Sequence, residues 1–485
     1  MKEIEEQLFV EDIPVIDLAR EYATPLFIYS SETITSNFQR YQKEIREGDL
    51  ICYAVKANSN LSVLRILKEI GAGFDIVSGG ELERVKSIGE VESCADIVYS
   101  GVGKTRRELE HAISSGIGCI NIESRDELSM ILAIAEQFDE PVPVSVRVNP
   151  NVDPNTHPYI STGLKENKFG VPMKEAAELY RIAHDSKSVV PVGVACHIGS
   201  QLTDSSPVIE AVNEVVNLAE ELRGLGIPLK DIDVGGGLGI KYDSENPPSI
   251  SKWVSDIKSC VPSTYRIKIE PGRSIVGAAG VLLTQILCSK DNGERRFAIS
   301  DAAMNDLLRP ALYNADHKVF PCTEKGKTKT ASFDLVGPIC ETGDWLAKCQ
   351  DFEVGNGDLL AIKDAGAYGF SMSSNYNSRP RAPEVLIETD GSVRVVRSRE
   401  SVTDMLALEI KHLKISRRYT PIYNGEKIKW VYLKNNPMGL ETIGYKGHED
   451  PPEIISFIKQ FINPNKLYKQ ALHKKIMMFY EALGW

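Results

Sequence analysis

The sequence holds no apolar run long enough to cross a membrane. Its most apolar stretches, such as "AAGVLLTQIL", fall far short of the ~20 residues a span needs. The first residues, "MKEIEEQLFVEDIPVIDL", are acidic and contain no cleavable apolar segment, so no secretory leader and a cytoplasmic location are expected. Nine cysteines, an odd number, occur without any CxxC pair, which argues against both a disulfide framework and a zinc ribbon. Positive charge is in deficit. A formal net charge of −11 disfavours nucleic acid or an anionic membrane surface as the main partner. Internal repeats, low-complexity tracts and the GxGxxG fingerprint of a dinucleotide fold are all missing. These absences leave an enzyme acting on a small molecule as the fitting class.

What is present is a chain of 485 residues, 42% hydrophobic and 25% charged, too long for one ordinary core. Between about residues 50 and 275, short β-branched runs alternate with helical patterns, the mark of βα units around a parallel sheet. Eight such runs occur: "LICYAV", "GFDIV", "ADIVYS", "GCINIE", "VPVSVRV", "PVGVACHI", "DIDVGGG" and "YRIKIEPG". Eight strands predict an α/β fold, a (β/α)8 TIM-like barrel over residues 30–276, whose chemistry sits at the C-terminal strand ends. Those ends carry Lys56, Asp75, His197, Ser200, Gly235 to Gly237, Glu270 and Arg273, while the strand bodies are apolar. A lysine ending a buried strand is thereby aimed into a site.

After residue 276 the pattern changes to "RFAIS", "SFDLVGPIC", "DLLAIKDAG", "EVLIE" and "SVRVVRS", separated by Gly, Pro and Asp turns. This predicts an all-β domain over 277–402. The segment "TPLFIYS" within residues 1–29 is expected to lend it a strand. Residues 403–485 form an extension with helical signals in "EIISFIKQFI" and "LYKQALHKKIMMFYEAL" and with 13 Lys/Arg against 8 Asp/Glu. A helical extension packed on the body or a dimer is the plain reading of it; a docking segment for an acidic protein partner, such as a carrier protein, is the other.

The strand ends suggest a chemistry. A buried lysine is costly unless paired or deprotonated, and the amine of an imine-forming lysine is expected to have a depressed pKa. Lys56 could instead merely reach the rim with its long stem. Three successive glycines in "VGGGLGI" let backbone N–H groups approach an anion, and barrel phosphate sites favour this loop, although a tight turn alone would also explain them. In "KIEPGRSIVG", Glu270 could keep a ring nitrogen protonated while Gly272 and Arg273 face a phosphate or a substrate carboxylate. Lysine, phosphate cradle and carboxylate together are what pyridoxal 5'-phosphate requires. His197 would then stack on the ring, a lone core histidine being the commoner case. In the β domain, Arg309, Tyr313, Cys340, Glu341 and Tyr368 offer a carboxylate clamp, a thiol acid, an ammonium acceptor and phenols. Asn375 and Arg379 read equally well as solvated loop residues.

Over roughly residues 8–402 the chain resembles the diaminopimelate decarboxylases, of the alanine-racemase-like, fold type III class of pyridoxal-phosphate enzymes. The motifs "YAVKAN", "FDIVSGGEL", "STGLKENKFG", "CHIGSQ", "DVGGGLGI", "EPGRSIVG", "MNDLLRPALY", "CETGD" and "GAYGFSMSSNYNSRPR" follow the family's order. The resemblance implies Lys56 as the cofactor lysine with His197 against the ring, and Ser200, Gly236, Gly237 and Glu270 to Arg273 around ring nitrogen and phosphate. It implies Arg273, Arg309 and Tyr313 on the distal carboxylate of the substrate, Glu341 on its distal ammonium, and Tyr368 touching both cofactor and substrate. It further implies a head-to-tail homodimer with shared active sites, Cys340 acting in the other protomer as proton donor. The activity implied is decarboxylation of meso-diaminopimelate to L-lysine. A related decarboxylase of ornithine, lysine, arginine or a carrier-bound amino acid is the first rival. A diamine-forming enzyme would want an acidic distal group rather than two arginines. A racemase would have little use for "CETGD", and a silent scaffold would not keep Lys56, Cys340 and Arg309 together.

Overall fold

In the computed structural model, the structure describes residues 2–4, 7–89, 94–153, 162, 167–322, 329–410, 429–432, 442–445 and 452–461. The chain divides into two compact units, Met1–Arg399 and Glu400–Trp485.

In the first unit, eight parallel strands close on themselves: Leu50–Ala54, Gly73–Ile76, Ile97–Tyr99, Cys119–Ile122, Val142–Asn149, Val189–Ala195, Asp231–Asp233 and Arg266–Ile269. All eight apolar runs read from the sequence are strands. Closure comes from the last strand pairing with the first, Lys268 opposite Leu50 and Ile269 opposite Ile51. Helices alternate with the strands, and several start on side-chain caps, such as Thr105 and Glu108 in a reciprocal capping box before Arg106–Ser114. Between strands and helices lies the bulk of the core, with Val63, Leu64 and Leu67 of the first barrel helix fully buried.

The second sheet of this unit runs in the order Trp345–Phe352, Lys329–Val336, Arg296–Ser300, Gly280–Asp291, Leu26–Ser30, Glu384–Ile387, Val393–Arg397, with Val319–Pro321 and Leu359–Ile362 joined to Gly280–Asp291 on a side branch. Leu26–Ser30 lies near its middle, antiparallel to one neighbour and parallel to the other. Its longest strand, Gly280–Asp291, was not among the strands read from the sequence, nor was Trp345–Phe352.

The stretch "YAVKANSN" joins barrel to sheet. Asn58 donates to the Gly366 carbonyl at 3.1 Å, and Asn60 caps helix Leu61–Glu69 while donating to Glu384 at 3.1 Å. Glu384 also accepts from Tyr29 at 2.7 Å. These polar residues follow the strand because buried asparagines and a carboxylate satisfy one another across the domain junction.

The second unit is not purely helical. Among its described residues are helices Val402–Ile410 and Pro452–Phe461 and an antiparallel strand pair, Lys429–Tyr432 with Thr442–Tyr445. The stretch "LYKQALHKKIMMFYEAL" lies outside the described residues, as does part of "STGLKENKFG". No described helix is long and apolar enough to cross a membrane.

Candidate active site

A cavity of about 380 Å³ opens at the C-terminal rim of the barrel. The first strand stops at Ala54, and one 3-10 turn, Val55–Ala57, turns Lys56 into this cavity. Its ammonium pairs with Asp75 of the second strand, 35% of the lysine side chain facing the open cavity and none of the aspartate. Burial alone would lower the Lys56 pKa, but the carboxylates of Asp75 and Glu270 outweigh it and the net shift is upward. The depressed pKa expected of this lysine is therefore not what the structure has: Asp75, paired with the ammonium, and the nearby Glu270 hold its charge.

Glu270 follows the eighth strand and is 8% exposed. Burial, then the neighbouring Asp233 and Asp75, push its pKa well above the carboxylate range. Asp75 Oδ1 is buried with no hydrogen-bond partner among the described residues. Asp233 and Glu270 thus line the cavity with Asp75 buried behind Lys56, a grouping that invites a cationic or N–H-bearing ring. The glycines beside them are there for close approach. A Cβ on Gly236 would lie 2.2 Å from the Glu270 carbonyl oxygen, and Gly235 and Gly237 adopt φ of +65° and +114°. At Gly272 a Cβ would meet that of Ala57 at 2.9 Å.

His197 lines the same wall. The Gly236 N–H donates to its Nδ1 at 3.3 Å, so the hydrogen sits on Nε2. Burial first, then the charges of Arg147 and Lys56, hold its pKa well below the usual histidine range and the ring neutral. Arg147, which sequence reasoning passed over, donates to Glu123 at 2.9 Å and lies 4.8 Å from the Phe169 ring centroid. Glu123 also accepts from the Gly101 and Gly170 N–H groups at 3.1 and 2.6 Å, tying three rim loops together. The signal available was one arginine inside "VPVSVRV" and one glutamate ending "GCINIE", single polar residues facing a barrel interior.

The cationic side of the site is built from three separate segments. Arg273 donates to Ser200 Oγ at 3.0 Å and to Tyr242 Oη at 2.8 Å, with the Tyr368 ring centroid 4.8 Å from its Cζ. Tyr368 sits at φ +56° and donates its N–H to the Ala57 carbonyl at 2.8 Å, which fixes it beside the Lys56 turn. Arg309, 4% exposed, begins helix Arg309–Tyr313 and does not line the cavity itself. It stacks on the other face of the arrangement, 4.4 Å from the Tyr242 centroid, and bonds His317 at 2.8 Å. Tyr313 lines the cavity together with Ser200, Arg273 and Tyr368.

Cys340 and Glu341 are not brought to this cavity. Both are exposed on the loop that precedes Trp345–Phe352, where the Cys340 N–H donates to Asn377 at 2.7 Å and Tyr376 donates to Glu341 at 3.2 Å. Asp344 anchors the loop by accepting from the Met304 and Ile339 N–H groups, each at 2.7 Å. Asn375 donates to the Arg379 carbonyl at 3.0 Å and Arg379 to that of Asp301.

Residues 31–277 match the pyridoxal-dependent decarboxylases, pyridoxal binding domain. The diaminopimelate decarboxylase of Aquifex aeolicus is 48% identical over 398 residues, covering 81% of this chain and 94% of that protein. That of Vibrio cholerae is 46% identical over 409 residues, 83% of this chain and 96% of its own length. Among solved structures, diaminopimelate decarboxylase from Helicobacter pylori complexed with L-lysine is 43% identical with a TM-score of 0.78, over 82% of this chain and 100% of that one. With the rim lysine, the buried acids and the paired arginines standing on a barrel of this kind, the chain belongs to the diaminopimelate decarboxylase family of pyridoxal-dependent decarboxylases.

Proposed function

We propose that this chain decarboxylates meso-diaminopimelate to L-lysine and carbon dioxide, the last step of lysine biosynthesis, as a cytoplasmic homodimer. The observation that carries the reading is the pair of buried guanidiniums, Arg273 and Arg309, which face one tyrosine and have no carboxylate partner among the described residues. Two unmatched cations suit a substrate with a second carboxylate, which ornithine, lysine and arginine lack.

The residues fit pyridoxal phosphate: an amine on Lys56, a buried Glu270 whose charge a ring N–H would match, and a glycine-lined loop that any Cβ would obstruct. When bound, the cofactor supplies an aldehyde that takes up an amine and a protonated ring that accepts the electron pair left by departing carbon dioxide. Lys56 would offer its Nζ to the aldehyde from a position where it donates to Asp75. Glu270 would hold the N–H of the ring nitrogen. His197, neutral and fixed by the Gly236 N–H, offers a flat uncharged surface against the ring. Arg273 and Arg309 receive the distal carboxylate, with Tyr313 and Tyr368 beside them, and so orient the scissile carboxylate.

In this reading the partner subunit's Cys340 returns a proton to the carbon that lost carbon dioxide, and the partner's Glu341 takes the distal ammonium. Supporting it, both residues are exposed on an ordered loop outside their own chain's cavity. The test measures carbon dioxide released from meso-diaminopimelate, lysine and ornithine by the purified protein with cofactor. Release from meso-diaminopimelate alone is expected, and release only from ornithine overturns the proposal.

A further inference from the structure

Of two residues with no assigned part in this chemistry, Tyr242 stands between the arginines and His317 packs against Tyr242 and Arg309. Tyr242 lies in the loop after the seventh barrel strand, its N–H held by Glu245 at 3.1 Å, and is 3% exposed. Its phenol oxygen accepts from Arg273 at 2.8 Å, while Arg309 lies 4.4 Å from its ring centroid. His317, 4% exposed, packs edge-on against the same ring at 5.0 Å between centroids. Its Nδ1 meets the Lys363 carbonyl at 2.8 Å, and a carbonyl only accepts, so Nδ1 carries the hydrogen. Nε2 is thereby left as an acceptor for Arg309 at 2.8 Å. Burial and the adjacent Arg309 hold the imidazole neutral, its pKa pulled down to about 3.

Buried guanidiniums are ordinarily matched by carboxylates. Here every contact on them is neutral: a phenol, a serine hydroxyl, a ring face and an imidazole lone pair. Arg309 Nε is buried and has no hydrogen-bond partner among the described residues. Neutral acceptors satisfy donor hydrogens without quenching charge, so the attraction for an incoming anion survives burial. We propose that Tyr242 and His317 are positioning residues that set specificity for a substrate bearing a distal carboxylate, by holding Arg273 and Arg309 side by side without neutralising them. The inference rests on the reading that these arginines receive that carboxylate.

The test compares inhibition of the holoenzyme by L-lysine, which carries the carboxylate, and by cadaverine, which does not. Tyr242→Phe, which keeps the ring and loses the oxygen, and His317→Leu are each expected to weaken L-lysine about tenfold, the scale of a lost hydrogen bond to a charged group. Cadaverine inhibition is expected to stay within about twofold by the same reasoning. His317→Gln restores one acceptor and one donor and is expected to recover most of the L-lysine affinity. Equal weakening of both inhibitors, or of neither, overturns the inference, the former by showing a merely structural role. Arg309→Met separates the two levels. If it fails to lower the preference for L-lysine, the carboxylate clamp itself is wrong; if it lowers that preference and the Tyr242 and His317 variants do not, the positioning role alone falls.

Discussion

Lys56 is subject to two opposed electrical demands: desolvation favours the neutral amine, and Asp75 with Glu270 favours the ammonium and prevails. Because its pKa is raised in the folded protein, the lysine's own titration leaves its stabilising charge in full below the ordinary lysine value and removes it as pH rises through the folded one. Removing Asp75 tips the balance back toward burial. Asp75→Asn is therefore expected to let the cofactor attach to apoprotein at lower pH, its absorbance-monitored rate profile moving down by about one unit or more. An unmoved profile would mean that Asp75 does not govern the amine. Lys56→Ala is expected to abolish both the bound-cofactor absorbance and turnover; a variant retaining normal turnover shows that another amine serves. The position of Lys56 was legible because a lysine after "LICYAV" breaks an apolar run at a barrel rim. Its protonation state was not, since the deciding partners, Asp75 and Glu270, are remote from it in the chain and reach it only through barrel closure.

At the scale of elements, strands were legible wherever apolar runs were short and bounded by turn residues, which holds for all eight in the barrel. Gly280–Asp291 escaped because it ends on Ser289, Lys290 and Asp291, three polar or charged residues that look like a loop. Trp345–Phe352 mixes Lys348, Gln350 and Asp351 into an edge strand and gives no alternation to read. In the second unit, "KWVY" within "KIKWVYLK" carried a β signal that the prominent helical stretches overshadowed. What no local pattern shows is how loops from different elements are joined, and Asp344 illustrates the consequence. Buried to 4% exposure, it ties the Cys340 loop to the segment leading into helix Arg309–Tyr313. Asp344→Ala strands two N–H groups, at about 1–3 kcal/mol for each that stays buried and unsatisfied. Urea unfolding is expected to record a loss on the order of 2–4 kcal/mol once partial relaxation is allowed for. Turnover is expected to fall while cofactor absorbance holds, because the loop carries the thiol and not the cofactor lysine. Loss of cofactor in step with turnover would place the loop's influence elsewhere.

For the whole molecule, the relatives are matched almost end to end by about four-fifths of this chain, and the share left over is about the size of residues 400–485. Catalytic equipment is therefore to be sought in the first unit, yet that unit alone keeps Cys340 and Glu341 outside its own cavity. The proposed dimer with divided sites would account for this, the lysine of one chain working with the thiol of the other. The arrangement has an arithmetic consequence. Mixing Lys56→Ala and Cys340→Ala chains under subunit exchange makes half the dimers mixed, and each mixed dimer holds one site with both residues intact. Activity is expected to recover to about a quarter of the native value for statistical pairing, measured as carbon dioxide released per dimer. Lys56→Ala mixed with Glu270→Ala is expected to recover nothing, because both defects belong to the barrel side and every mixed site contains one of them. Should the first mixture stay as inactive as its parents while exchange is verified, the thiol acts within its own chain, and the loop carrying it would have to reach the cavity from the same molecule.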